Sequence, residues 1–216
     1  MLCKTFKTLL WIVLGLALQG SGASAKAGTN RAEVTVSVFN DAKVPEATLR
    51  TAENVANDVF VRADVPIRWL HCGRLGETAY EGHSCSQAEY PLHLHVRIVA
   101  GRLNHRESTL GLTYLNDDGS GCQADISYQG VAEVALESQV NLGIVLGNAI
   151  AHELGHLLLG TNSHSPEGIM RAHWSTAELA AAIRGQLLFT DRQRNQIKQK
   201  LDGQSLVLRA GLAVAR

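Results

Sequence analysis

The feature that most constrains this chain is an apolar run over residues 141–160 that contains three ionisable side chains. The run is apolar on almost every side except at Asn148, His152, Glu153 and His156, which is typical of a helix buried in the centre of a domain. Burying ionisable groups costs free energy unless other groups pair with them. The fold must therefore surround this helix and also supply partners for its polar residues.

His152 and His156 have the spacing of two ligands on one helix face. Residues four positions apart project from the same face about one turn apart, so both imidazoles can bind one metal ion. Glu153 lies about 100° round the helix, where its carboxylate reaches a metal-bound water without acting as a ligand. Two hydrogen-bonded core histidines are the alternative. We predict a metal site, because a cation stabilises two neutral imidazoles inside a protein.

A third ligand is predicted at His164. Gly160 is placed to end the helix in a left-handed conformation, which a residue with a Cβ adopts only at a cost. The step from Gly160 to His164 spans up to about 13 Å when extended, which is enough to return an imidazole beside His156. Three protein ligands and one water form the open, catalytic type of zinc site, whereas a closed structural site has four protein ligands.

Residues 152–170 resemble the metzincin metalloproteases, whose motif is HExxHxxGxxH followed by a turn that contains methionine. His152, Glu153 and His156 match this motif directly. Gly168-Ile169-Met170 resembles the Met-turn, with Met170 as the methionine beneath the metal. The spacing departs from the family pattern after the second histidine, since Leu159 and Asn162 occupy the positions of the glycine and the third histidine. The resemblance therefore implies a longer loop before the third ligand.

Three other residues compete with His164 for the third ligand position: Glu167, His173 and Glu178. Glu178 stands 22 residues after His156, near the spacing of the glutamate ligand in thermolysin-like proteases. Ser175 and Glu178 also form the pattern of a capping box, in which the glutamate bonds the backbone N–H of the serine. Capping favours a structural role for Glu178. His164 is the preferred ligand because it follows a helix-ending glycine at a distance that closes back on the site.

The metzincin resemblance implies an α+β fold, with a twisted mixed five-stranded sheet packed on two long helices and a small helical C-terminal part. It implies one Zn²⁺ per chain bound by His152, His156 and His164, with Glu153 as the general base in peptide hydrolysis. In the family the fourth strand is an exposed edge along which a peptide substrate extends. By position this strand corresponds to residues 109–115, for which a core strand is the alternative.

Local patterns predict a matching order of elements. Alternating or β-prone segments predict five strands, at residues 33–39, 66–72, 92–99, 109–115 and 123–128. Helical periodicity and capping residues predict four helices, at residues 45–63, 141–160, 176–188 and 191–201. The order up to the buried helix is β-α-β-β-β-β-α, which is similar to the N-terminal half of metzincins.

Residues 1–25 have the pattern of a secretory signal peptide. Lys4 and Lys7 precede a ten-residue apolar run at 9–18, and Ala23-Ser24-Ala25 offers a cleavage site. Ten apolar residues are too few to span a bilayer, so we expect a secreted or periplasmic protein without stable membrane association. A retained N-terminal anchor is the alternative. Residues 26–216 are expected to form one metallopeptidase domain, with the sheet and active-site helix at 33–164 and the Met-turn and C-terminal helices at 165–216.

The charge balance limits the classes of partner, and the cysteine count limits the possible disulfides. Without Lys4 and Lys7 the 20 basic residues fall to 18, against 20 acidic residues, so nothing favours nucleic acid or an anionic membrane as a partner. Three cysteines remain: Cys72, Cys85 and Cys122. Cys72 and Cys85 are able to close a short loop in an oxidising compartment, which leaves one thiol over, and the sequence leaves the pairing open.

Two functional classes agree with these patterns. The first is a secreted zinc-dependent endopeptidase that acts on a peptide or protein substrate. The second is a zinc-stabilised extracytoplasmic binding or adhesion module without hydrolytic activity. Glu153 favours the enzyme, because a structural zinc site has no use for a carboxylate beside an open coordination position. Asn148, one turn before His152, is expected either to orient an imidazole or to bond within its own helix.

Overall fold

The computed structural model describes residues 32–73, 85, 88–103 and 109–214, with side chains as far as residue 203. The predicted signal peptide lies outside the described residues. The strands are β1 (Val34–Asn40), β2 (Ile67–Cys72), β3 (His93–Val99), β4 (Gly111–Tyr114) and β5 (Gln123–Ser127). The helices are α1 (Glu46–Arg62), α2 (Tyr128–Ser138), α3 (Leu142–Leu159), α4 (Thr176–Ile183) and α5 (Asp191–Val214).

The strands form one mixed sheet in the order β2-β1-β3-β5-β4. β1, β2, β3 and β5 run parallel, and β4 pairs antiparallel with β5 at the end of the sheet. The α+β fold class predicted from the sequence is confirmed, together with all five strands and the edge position of the fourth strand. β4 therefore has one side that no other described strand covers.

Helices α1 and α3 pack side by side against the sheet. Val36, Val96 and Ile126 from three neighbouring strands are fully buried beneath them. Gly147 lets the two helices approach closely, since a Cβ at this position would lie 2.4 Å from the backbone oxygen of Ala52 in α1. The packing buries α3 on nearly all sides. α3 is the one described helix long and apolar enough to cross a membrane, and it is 83% buried inside the protein, as a core helix is.

Helix α2 is absent from the sequence predictions. It begins directly where β5 ends, and the Ser127 side chain accepts a hydrogen bond from the Gly130 backbone N–H as its N-cap. The buried side chains of Val131 and Ala135 lie on one face of this short helix. The two remaining helices also differ from the predicted bounds. α4 ends at Ile183 rather than 188, before Gly185 with a φ of 64°, and α5 continues to Val214 rather than 201.

A disulfide joins Cys72 at the end of β2 to Cys85, with their Cα atoms 5.9 Å apart. This pairing is one that the sequence allowed. No cysteine among the described residues is free, Cys122 included. The expectation of one leftover thiol is therefore wrong for the described part of the chain.

Candidate metal centre

Helix α3 carries the centre of the site. The Asn141 side chain caps its first turn by accepting from the Gly143 N–H, and Gly160 ends it in the left-handed region with a φ of 71°. His152, Glu153 and His156 lie in the last two turns with 8%, 6% and 4% of their surface exposed. The predicted helix and its glycine end therefore agree with the structure, and the three ionisable side chains are buried as expected.

Backbone carbonyls fix the orientation of both buried imidazoles. His152 Nδ1 lies 2.7 Å from the Ile169 oxygen, and His156 Nδ1 lies 2.7 Å from the Thr161 oxygen. A carbonyl only accepts, so each Nδ1 is assigned the proton and each Nε2 keeps a lone pair. The two Nε2 atoms are 3.1 Å apart. A tetrahedral zinc with bonds of about 2.05 Å places two ligand nitrogens about 3.3 Å apart, so this pair fits the ion.

His164 joins the two helix histidines. Its ring centre lies 5.3 Å from that of His152 and 4.9 Å from that of His156. One ring nitrogen from each of the three residues lies within 4.8 Å of the others. The lengthened loop after Gly160 thus returns an imidazole to the site, and its Thr161 carbonyl orients His156 on the way. Within the described residues the candidate group holds three nitrogen donors.

None of the three competing residues belongs to the histidine group. Glu178 accepts from the Ser175 hydroxyl and, at 2.8 Å, from the Ser175 N–H, and it also accepts from Arg171. The two bonds from Ser175, with the charge of Arg171, lower the pKa of Glu178 to about 2. The predicted capping box is therefore present. Glu167 and His173 are not members of the histidine group either. His173 lines the neighbouring cleft instead.

The three imidazoles are held in their neutral form. Burial lowers the pKa of His152 to about 4, and the repulsion between two protonated imidazoles at His152 and His156 adds to the effect. Burial also lowers the pKa of His156 and that of His164. Neutral imidazole is the form that binds a metal, so the site needs no proton release near neutral pH. Three neutral donors with space beside them fit a divalent zinc ion with an open position.

Glu153 contacts the edge strand. The Thr113 hydroxyl donates to Glu153 Oε2 at 2.6 Å, and the side chain of Glu153 passes directly over Gly111. Burial raises the pKa of Glu153 to about 7, although the bond from Thr113 opposes this rise. Sequence reasoning missed Thr113 and Gly111 as site residues. Only their place on the predicted edge strand hinted at them.

Met170 packs against helix α3 at Gly155. It is fully buried, and its Sδ lies 2.6 Å from where a Cβ of Gly155 would be, so the sulfur packs on the backbone of α3. Gly168 begins this turn with a φ of 72°. The Ile169 carbonyl from the same turn holds His152. The predicted turn therefore supports both the helix and one ligand.

Asn148 does not contact an imidazole in this arrangement. Its Nδ2 donates to the Ile144 carbonyl at 2.9 Å, four residues earlier in α3. The expectation that Asn148 orients a ligand is wrong, and the alternative of bonding within its own helix is confirmed. Backbone carbonyls provide the orientation instead.

A cleft of about 380 Å³ opens beside the histidines and Glu153. It is lined on the strand side by Thr109, Leu110 and Gly111, on the helix side by Val134 and Ala149, and on the loop side by Arg171, Ala172, His173 and Trp174. The cleft is large enough for one or two side chains of a peptide. Glu153 and His164 both face this space.

No protein-family model matches the chain, and no curated protein matches it. Solved structures do resemble its fold. Archaemetzincin from Methanopyrus kandleri is 16% identical with a TM-score of 0.51, over 83% of this chain and 99% of that chain. A zinc-dependent peptidase from Methanocorpusculum labreanum (strain Z) is 17% identical with a TM-score of 0.48, over 75% of this chain and 99% of that chain. At these identities the likeness concerns the fold alone.

Proposed function

We propose that this chain is a zinc-dependent endopeptidase that acts outside the cytoplasm after removal of residues 1–25. The observation that carries the proposal is an open group of three neutral imidazoles with the Glu153 carboxylate beside it. A purely structural zinc site is closed by a fourth protein donor. It has no open coordination position at which a buried carboxylate would be needed. The fold likeness to an archaemetzincin supports the same conclusion.

The chemistry divides between the metal and the chain. When bound, zinc would polarise the scissile carbonyl and lower the pKa of a water molecule. Glu153 would accept a proton from this water as its oxygen bonds to the carbonyl carbon, and would pass the proton to the amine nitrogen as the C–N bond breaks. The Thr113 hydroxyl donates a hydrogen bond to this carboxylate. The carbonyls of Ile169 and Thr161 accept hydrogen bonds from the imidazoles of His152 and His156 and orient them.

The edge strand offers a place for an extended peptide. The Ser127 N–H bonds the Leu110 carbonyl at 2.8 Å, so alternate residues from Leu110 onward direct their backbone groups to β5. Gly111 and Thr113 therefore direct theirs to the open side of the sheet. A peptide strand added there gains backbone hydrogen bonds, and the adjacent cleft receives its side chains. Because these contacts use the backbone, we propose peptide or protein substrates rather than small esters or amides.

The test compares wild type with Glu153→Gln on a peptide library, at matched and measured zinc content. The expected result is cleavage by wild type and a loss of at least about 100-fold in Glu153→Gln, with zinc retained. Glu137→Gln is the matched control, since Glu137 is an exposed carboxylate on α2 outside the site. Equal cleavage by Glu153→Gln would contradict the role of Glu153 as general base. No cleavage by fully zinc-loaded wild type would favour the zinc-stabilised binding module.

Localisation requires its own measurement. Expression of the full chain in a bacterial host should give a mature protein that begins near residue 26 in the extracytoplasmic fraction. N-terminal sequencing of that protein checks the cleavage site. A protein that keeps residues 1–25 in the membrane fraction would indicate the anchored alternative.

A further inference from the structure

We infer that Thr113 is the positioning residue for the Glu153 carboxylate, and that position 111 must be glycine to leave room for the Glu153 side chain. The inference rests on the proposed function, because it assigns Glu153 a task that depends on where its carboxylate lies. It concerns two residues of the edge strand β4, which lie 40 or more positions from Glu153 in the sequence. No metal ligand is involved in the contacts.

Thr113 contacts Glu153 at two points. Its Oγ1 donates to the carboxylate Oε2 at 2.6 Å and also lies 3.1 Å from the Glu153 backbone oxygen. Thr113 is only 6% exposed, so water does not compete for this bond. A contact to both the backbone and the carboxylate fixes the side chain relative to its own helix, and thus relative to the histidines on that helix.

Gly111 clears the path that the carboxylate follows. A Cβ at this position would lie 2.4 Å from Glu153 Cγ and 2.5 Å from both Cδ and Oε1. These distances are far inside van der Waals contact, so any larger residue would push the side chain aside. The Gly111 φ is not in the left-handed region. The requirement for glycine here is therefore one of space rather than of backbone conformation.

The same two residues present their backbone groups to the open side of the sheet. A peptide bound at Gly111 and Thr113 would therefore contact the same strand that positions the Glu153 carboxylate. One rigid element then fixes both the scissile bond and the base. Misplacing a catalytic group by about 1 Å costs about 100-fold in rate, so loss of the Thr113 bond should lower kcat rather than raise KM.

The experiment uses Thr113→Val, which keeps the side-chain shape and removes the hydroxyl. The expected result is a kcat lower by about 10- to 100-fold, with KM and zinc affinity within about twofold of wild type. Thr113→Ser, which restores the hydroxyl, should recover most of kcat. Gly111→Ala should lower kcat by a similar factor without loss of any hydrogen-bonding group.

Two control variants separate positioning from general damage. Thr35→Val removes a hydroxyl of similar burial that accepts from Arg68 at 2.7 Å elsewhere in the sheet, and it should leave kcat unchanged. Gly101→Ala adds a Cβ that meets nothing within 4 Å. If Thr113→Val fails to fold, the serine and Gly111→Ala variants still decide the point.

Crystal structures of zinc-loaded wild type and Thr113→Val supply a measurement independent of turnover. We expect the Glu153 carboxylate to accept a hydrogen bond from Thr113 Oγ1 in wild type and to change position in the variant. An unchanged carboxylate, a kcat within twofold of wild type in Thr113→Val, or a serine variant as impaired as the valine variant would overturn the inference. If zinc-loaded wild type cleaves no peptide, the proposed function fails, and the crystal structures alone decide the positioning role.

Discussion

Substituting Gly147 with alanine should destabilise the protein, although alanine is the better helix former. A Cβ at Gly147 would lie 2.4 Å from the Ala52 backbone oxygen, 2.7 Å from Val55 Cβ and 3.0 Å from Ala52 Cα. Ordinary contacts need about 3.4 Å, and the nearest obstacle is backbone. Helices α1 and α3 must therefore move apart by about 1 Å, which opens their packed interface.

The magnitude follows from two opposing effects. Alanine in place of glycine inside a helix gains about 1 kcal/mol, whereas overpacking a close helix contact costs about 1 to 3 kcal/mol or more. Backbone is the obstacle here, so we expect the upper part of that cost. The net result is a free energy of unfolding lower by about 2 kcal/mol, which corresponds to a melting temperature lower by about 4 to 8 °C for a domain of this size.

The assay is urea or thermal unfolding of zinc-free wild type, Gly147→Ala and Gly203→Ala. Gly203 lies in helix α5, and a Cβ there would meet nothing within 4 Å. Gly203→Ala should raise the free energy of unfolding by about 0.5 to 1 kcal/mol through helix propensity alone. A Gly147→Ala variant as stable as wild type would show that helices α1 and α3 do not approach each other this closely.

Three further predictions concern the disulfide, acid stability and the third ligand. Replacing Cys72 and Cys85 with alanine should lower the free energy of unfolding by about 3 kcal/mol, given the 13-residue loop, and an unchanged urea midpoint would contradict this. Burial, with the charges of neighbouring groups, lowers the pKa of His93 to about 4 from 6.5, so the unfolded chain takes up this proton first as the pH falls. Its contribution is fully present above pH 6.5 and should be lost between pH 6.5 and 4, by about 2 kcal/mol after allowing for partial exposure; His93→Asn should flatten that part of the stability profile, and an identical profile would refute the assignment. Zinc content measured after dialysis should fall in His164→Ala and stay unchanged in Glu178→Ala, whereas the reverse would make Glu178 the ligand.

Much of the fold was predictable because the signals are local. Alternating or β-prone segments predict the five strands. Apolar periodicity predicts the buried helix, and a glycine predicts its end at residue 160. The capping box of Ser175 and Glu178 is likewise a short pattern, and it correctly assigns Glu178 to a helix end. Helix α2 escaped prediction because no glycine or proline separates it from β5. Ser127 ends the strand and caps the helix at once.

The parts of the site that escaped prediction depend on contacts between distant segments. The bond from Thr113 to Glu153 joins residues 40 positions apart, and no pattern around either residue indicates it. The carbonyls that orient the imidazoles come from loops whose path is set by packing of the whole domain. The position of Asn148 one turn before His152 suggests that role, yet its amide bonds its own helix.

The most direct test of an open centre of three imidazoles is X-ray absorption spectroscopy of the zinc-loaded protein. We expect one zinc per chain, with three imidazole nitrogens and one water oxygen at about 2.0 to 2.1 Å. His164→Ala should remove one imidazole from this shell, while Glu153→Gln should leave it unchanged. A fourth protein ligand, a sulfur at about 2.3 Å, or only two histidines in wild type would contradict an open centre of three imidazoles.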